Sequence, residues 1–442
     1  MKKVVFLSLF SLISVHAMIE KKANEERLLN EFISDKMKEA GVNCPLRFKG
    51  TLNFTAIFVK QDQKNGKKDS MAALEGDIFL NYLNKNENYN YGFEISAKAN
   101  SGIIKQGNPI VRTSYLFLES EKYGGIRVGY TSTASDFFSI NGSKVLVGYG
   151  GVGSGNLSLF YNESAASLLC LGFLYDDNKA AKVVILSPKI AFFPSSGFSL
   201  AISFTPDSRS VNPFKTLHPK PRNPEINEEK ADFPARKSAY CKNILTGALL
   251  GEFGDPQSLN AQISLAYYMG KGKTSITEIE VSDIRAFNIG AILGYKDFKL
   301  SLGFTDNGKS LRSKRYVTAD IDNFDEKKQY TFSDPEVGIK TGADSGKVYS
   351  FGASYDITKK LVVSAGYFHS VVKLSDKEKT TAKVITLAGE YTFNKTISAY
   401  IEYNRINSDT CARAQAYNKA CELSTMGKNS ANVFMIGGKV NI

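Results

Sequence analysis

Side chains suited to covalent or acid–base chemistry are scarce in this chain. It has three histidines, His16, His218 and His369, and His16 falls in an N-terminal stretch expected to be removed. A metal centre or a Ser/His/Asp triad needs a denser set of ligands and bases, so neither is expected, and no cofactor is implied. Gly148, Gly150 and Gly153 spell G-x-G-x-x-G. No buried strand precedes them and no amphipathic helix follows, so they read as loop backbone rather than a dinucleotide site. Of five cysteines, Cys411 and Cys421 lie close together in DTCARAQAYNKAC and are the pair expected to bond. Cys44, Cys170 and Cys241 leave an odd count that the sequence does not resolve.

What the residues do offer is fixed charge on a rigid wall. Arg112 is the first candidate, with Arg47, Lys49, Lys98 and Arg127 at the same expected parity on neighbouring strands. Asp136, Glu163, Asp176 and Asp177 fall in one long segment that could face them. Opposite charges across a narrow, low-dielectric opening make a transverse field that orients dipolar solutes and sets ion preference. Lys182, Lys299 and Lys439 add to the inward bases, against Glu75, Asp77, Glu94, Glu390 and Glu402. That excess of bases predicts a weak preference for anions.

The elements that position these charges start with VRTSYLFLESEKYGGIRVGY, Val111 to Tyr130. Thr113, Tyr115 and Phe117 share one face; Arg112, Ser114 and Leu116 share the other. Period two means strand, and a short turn near Lys122 makes a hairpin. The reading takes the Arg112 face as the inward one. Thr131 to Lys179 then separate the hairpin from the next clear strand, a long Gly-rich segment expected to fold back into a lumen.

The rest of the chain reads as the wall. MKKVVFLSLFSLISVHA, residues 1–17, has the charged start, apolar core and small-residue end of a secretory signal. Residues 18–43 carry an apolar stripe through Leu28, Leu29, Phe32, Ile33 and Met37 and read as a short periplasmic helical leader, either a solvated leader packing on the barrel mouth or a periplasmic partner contact or plug. Residues 44–442 alternate apolar and polar to the end, giving sixteen strands. Short turns alternate with long loops, the longest being Pro206 to Cys241, Thr305 to Val348 and Ser408 to Ala431. An even strand count with one rim of short turns and one of long loops is the pattern of a transmembrane β-barrel. The 23% charged composition agrees, because each strand turns only alternate residues to lipid. The formal net charge of +12 is spread along an exported chain. It points to anionic head groups or solutes rather than nucleic acid.

Several stretches, in order, resemble Gram-negative general porins, especially those of alphaproteobacteria. They are the opening hairpin, KVVILSPKIAFFPSSGFSLAISFTPDS (Lys182 to Ser208), AFNIGAILGYKDFKLSLGFTDNG, YSFGASYDITKKLVVSAGYFHS, ITLAGEYTFNKTISAYIEYNRI and the closing VFMIGGKVNI. The resemblance implies an all-β, sixteen-stranded antiparallel transmembrane barrel in the outer membrane, with short periplasmic turns and long extracellular loops. It also implies a homotrimer, an inward-folded third loop, and Arg112 as the wall arginine. Small hydrophilic solutes and ions would be its cargo and outer-membrane lipid its surroundings. The chain departs from the family pattern at Tyr130, where an arginine is usual, at Ile442, where phenylalanine is usual, and in lacking an acidic Pro-Glu-Phe-Gly type segment in the loop. Small inward residues (Ser96, Gly290, Ser301, Gly352) favour an open lumen over the alternative, a closed-lumen barrel with an adhesive or structural role. A hydrolase is disfavoured by the shortage of histidine.

Overall fold

The computed structural model describes residues 46–62, 70–85, 88–101, 110–149, 180–193, 195–208, 239–255, 258–274, 282–310, 346–373, 379–409 and 428–441. The expected signal, the leader helix and the pair Cys411–Cys421 lie outside these residues.

The wall opens with β1 (Leu46–Gln61), β2 (Ser70–Lys85), β3 (Asn90–Ser101), β4 (Ile110–Ser120) and β5 (Gly124–Tyr130). After the inserted loop come β6 (Ala181–Leu186), β7 (Ile190–Phe193), β8 (Ser196–Asp207), β9 (Ala239–Gly254) and β10 (Leu259–Thr274). The wall continues with β11 (Ile284–Tyr295), β12 (Phe298–Asp306), β13 (Lys347–Asp356) and β14 (Leu361–Lys373). It ends with β15 (Lys379–Thr392), β16 (Ile397–Asp409) and β17 (Lys428–Asn441). Every pairing is antiparallel and, apart from the closing pair β1–β17, joins sequence neighbours, except that β6 and β7 both pair with β8. They are one stave interrupted at Ser187-Pro188-Lys189, so the wall has sixteen staves. β1 pairs with β17 from Thr51↔Asn441 to Gln61↔Ala431, which closes the barrel and leaves no free edge.

The two rims differ as the sequence predicts. Turns at 121–123, 296–297 and 393–396 are tight, whereas the connections at 131–180 and 307–346 are long. Lys296 takes a positive φ of 51°, the left-handed geometry a two-residue hairpin turn requires.

Alternation sorts the side chains. Ile202, Ile263, Leu265, Ile289, Leu302, Leu387 and Ile401 are 40–50% exposed on the outer face. Left in water, such a band would forfeit about 25 cal/mol for each Å² of apolar surface not buried, so the band belongs in hydrocarbon. Aromatic rings flank it. Phe287, Phe304, Tyr349 and His369 run ring to ring across β11–β14 toward the loop rim. Phe192, Phe193, Phe198 and Phe253 cluster at the turn rim. Two such belts mark the membrane interfaces.

Candidate functional site along the inner wall

The inserted loop does lie against the inner face. Thr131 to Tyr149 run sideways across the barrel, and nearly every stave they pass offers one inward polar group. Lys182 Nζ on β6 donates to the Thr131 carbonyl at 2.8 Å. Ser203 Oγ on β8 accepts from Ala134 N at 3.0 Å, and Ser264 Oγ on β10 from Ile140 N at 3.0 Å. Ser301 Oγ on β12 donates to the Asn141 carbonyl at 2.7 Å. Ser350 on β13 and Ser364 on β14 accept from Gly142 N and Val147 N at 2.9 and 3.1 Å. Two carboxylates finish the row: Glu390 on β15 accepts from Gly148 N at 2.9 Å, and Glu402 on β16 from Tyr149 N at 2.7 Å. These wall residues have the opposite parity to the exposed Ile202, Ile263, Leu302 and Leu387, so the row is inside the barrel. Backbone groups leaving water must find partners, and the wall supplies them.

Close approach needs small residues. A Cβ on Gly290 would strike the Ile140 carbonyl, and one on Gly352 the Gly142 carbonyl; on Gly303 it would lie 2.6 Å from Asn141 Cα. This corrects the sequence reading, in which Gly290, Ser301 and Gly352 leave open space. They are seats for the loop. Ser96 instead bonds Thr113 at 2.5 Å on the wall itself.

The loop begins with a short helix, α1 (Ala134–Phe138). Asp136 Oδ2 accepts from both Thr133 N and Thr133 Oγ1 at 3.0 Å, so this carboxylate caps the helix. Ala134 packs on Ala201, Ala248 and Ala266, with Phe138 beside them. Farther along, Tyr149 stacks on Tyr400 with ring centroids 6.4 Å apart. Burial, with the Glu75 and Glu402 carboxylates nearby, pushes the Tyr149 hydroxyl well above its usual range, so it stays neutral.

The predicted charges fare differently. Arg127 faces inward as expected. It bonds Glu119 at 2.6 Å and lies over the rings of Tyr115 and Phe137, at 5.3 and 4.7 Å. Arg47 and Lys49 are exposed and keep the inward parity of Asn53 and Thr55 through an unbroken register with β2. Asp136 is exposed in the inserted loop. Glu163, Asp176 and Asp177 lie outside the described residues, as do the side chains of Lys98 and Arg112.

For Arg112 the alternation argument needs correction. Leu116 and Leu118 are exposed on the outer face, while Tyr115 reaches inward to Arg127. The face shared by Ser114 and Leu116 is therefore the outer one. Between Ser96 and Ala97 the register shifts, and Arg112 is the extra residue of β4. At such a bulge, alternation no longer decides the side.

Two features were missed. Glu390 and Glu402 were counted only as lumen acids, yet they hold the loop end, and Glu390 also meets Lys439 at 2.7 Å. The inner wall on the loop side of this row is apolar, although a lumen face is expected to be polar. The signal was present: the loop-side stretch VFMI (Val433 to Ile436) is apolar at consecutive positions, which implies burial on both faces.

A family model described as Gram-negative porin matches residues 46–410. The anion-selective porin of Comamonas acidovorans superposes with a TM-score of 0.52 at 15% identity, covering 90% of this chain and 100% of that one. OmpF of Salmonella typhi, solved with daunomycin, gives 0.52 at 14%, covering 89% and 97%. At such identities the likeness shows the fold alone. Among curated sequences, an uncharacterized protein of Rickettsia bellii is 24% identical over 253 residues, 46% of this chain and 55% of its own length. One from Rickettsia conorii is 24% identical over 258 residues, 48% and 57%. The chain thus spans little more than half the length of these relatives. With a closed sixteen-stave barrel, an apolar outer band and a family match over most of its length, the chain belongs to the Gram-negative porin family and is a protein of the outer membrane.

Proposed function

We propose that the protein is a passive diffusion channel for small hydrophilic solutes and ions, working as a homotrimer and filtering by size and charge where the inserted loop narrows the lumen. The observation that carries this reading is the row of bonds from Lys182 to Glu402, which holds Thr131 to Tyr149 flat on the inner wall across more than half of the staves. A loop held this way takes lumen cross-section without sealing it, and sets fixed side chains beside the path. Diffusion through such an opening needs no reacting group and no cofactor. Solutes shed little water in a polar bore, so size and charge discriminate among them.

Arg127, Lys182 and Lys439 each bond a protein acceptor. The pairs Arg127–Glu119 and Lys439–Glu390 remove a base and an acid alike, and the bond of Lys182 to a carbonyl cancels no charge, so the expected preference for anions stays weak. Reversal potential in a salt gradient measures it.

Single-channel recording from the refolded mature chain in a planar bilayer tests the channel. Stable open steps are expected, grouped in threes for a trimer. A barrel that folds and inserts but never conducts would overturn this reading in favour of an adhesive or structural barrel with a closed lumen.

A further inference from the structure

The apolar outer band is interrupted between Phe298 on β12 and Phe434 on β17 by a cavity of about 630 Å³. Ala353 faces Ala365 across β13 and β14, and Val363 faces Gly389 across β14 and β15. These small side chains form the floor. Tyr355, Leu387 and Ile401, each about half exposed, stand around it. The cavity is a groove with a direction. Phe298 opens β12 and Tyr355 nearly ends β13, so both stand at the turn rim. Gly389 lies farther from the rim, Ile401 farther still, and Phe434 at the middle of β17. The groove therefore climbs from the membrane interface to hydrocarbon depth.

Positive charge collects at the rim end. Three successive turns are tied together there: Asp356 N donates to the Asp297 carbonyl at 2.9 Å, and Thr392 N to the Lys360 carbonyl at 2.8 Å. These turns carry Lys296, Lys359, Lys360 and Lys395, all exposed, against Asp297 and Asp356. Elsewhere on this rim Lys122 is matched by Glu121, and β9 runs into Asp255. Tyr295, Tyr355 and Tyr391, exposed next to the basic turns, mark headgroup depth.

We propose that this groove seats one anionic phospholipid of the periplasmic leaflet, with an acyl chain over Ala353, Ala365 and Gly389 and its phosphate among the turn lysines. The occupant follows from the order of the features: cations at headgroup depth, then an apolar cleft leading inward. A concave apolar pocket with a few convergent polar groups is the usual form of a ligand site. Lysine stems lie along apolar wall while their ammonium groups reach the headgroup. A protein neighbour on the same face would have to fill the cleft and also set acids against those lysines. A phospholipid does both with one molecule.

The chain contains no tryptophan, so a single introduced one reports its own lipid contacts. Phe434→Trp lies at the deep end of the groove, and Ile202→Trp on the open outer wall of β8. Each mature full-length variant is refolded into vesicles of phosphatidylcholine and phosphatidylglycerol, with quenching bromines on the acyl chains of one lipid or the other. In the groove, brominated phosphatidylglycerol should be favoured about fivefold, the attraction expected of one lysine beside an anionic surface. At Ile202→Trp the two lipids should quench equally. Lys359→Gln combined with Lys360→Gln should bring the groove ratio to one. Gly389→Leu should do the same, because it fills the cleft and leaves the lysines in place; a Cβ there meets nothing closer than 3.8 Å. Folding is verified by heat-dependent electrophoretic mobility, and Leu387→Trp serves as the groove probe if Phe434→Trp does not fold. Equal ratios at both positions would mean unselective lipid contact, and a preference that survives Gly389→Leu would mean surface charge without a seat. Either result overturns the proposal. So does a groove tryptophan that neither lipid quenches, the mark of a protein neighbour on that face. None of these readouts depends on whether the barrel conducts.

Discussion

Glu402 is fully buried, and both of its oxygens are used. One accepts the Tyr149 amide and the other the Asn404 side-chain amide at 2.7 Å. Glu402→Ala leaves both donors unpaired in a dry site, at a cost of about 1–3 kcal/mol. Urea unfolding of the detergent-solubilised barrel should show that loss, and single-channel traces should become noisier as the loop end detaches. Gly352→Ala acts from the opposite side by pushing a methyl into the Gly142 carbonyl. Faster proteolysis within the inserted loop is expected, with the barrel itself intact. Arg127→Gln frees Glu119 from its ion pair and should move the reversal potential toward cation preference. At this scale the sequence was only partly legible. Parity placed Arg127, Arg47 and Lys49 on the inner face, because charge on an alternating strand has one tolerable side. Parity could not foresee that Glu390 and Glu402 would bond amides from a distant segment, since no local pattern encodes contacts across some 250 residues. Nor could it follow Arg112 through a bulge.

The strands themselves were written plainly in the chain. Period-two alternation, β-branched and aromatic residues, and glycine-bearing turns gave all sixteen staves. The hairpin turn at Lys296-Asp297 falls where its residues put it. The sequence reading ends the interrupted stave at Ser187, before the proline, so its second piece, β7 (Ile190–Phe193), is a finding of the structure. The inserted loop was legible as an insertion but not as a path. Its track depends on a serine or carboxylate recurring at matching heights on staves far apart in sequence, a pattern visible only once the register is known. The shared load gives an element-scale expectation. Each of Ser203→Ala, Ser264→Ala and Ser350→Ala removes one neutral bond to the loop, worth about 0.5–1.5 kcal/mol. The triple variant should lose stability close to additively, because the three sites lie on separate staves. Hydrogen exchange of the Ala134, Ile140 and Gly142 amides would report each release.

The whole barrel is held in place by what surrounds it. Leu265 is half exposed at mid-strand on β10, so Leu265→Arg puts a charge near the bilayer midplane at a cost of about 2–4 kcal/mol. Refolding into liposomes should fail or weaken accordingly, while Leu265→Phe should be tolerated. The seam between the ends of the chain has a further consequence. Tyr400 on β16 reaches over Gly437 of β17 to bond Thr55 at 2.6 Å and Asn53 at 3.0 Å on β1. Tyr400 also stacks on Tyr149 of the loop, and the apolar inner wall draws side chains from both sides of that seam. The first strand made and the last one made are thus needed together before Tyr400, the ring on which the loop end stacks, is fixed by its bonds across the seam. The bore acquires its final shape only when the cylinder shuts, so a chain stalled one strand short has a wall but no calibrated opening.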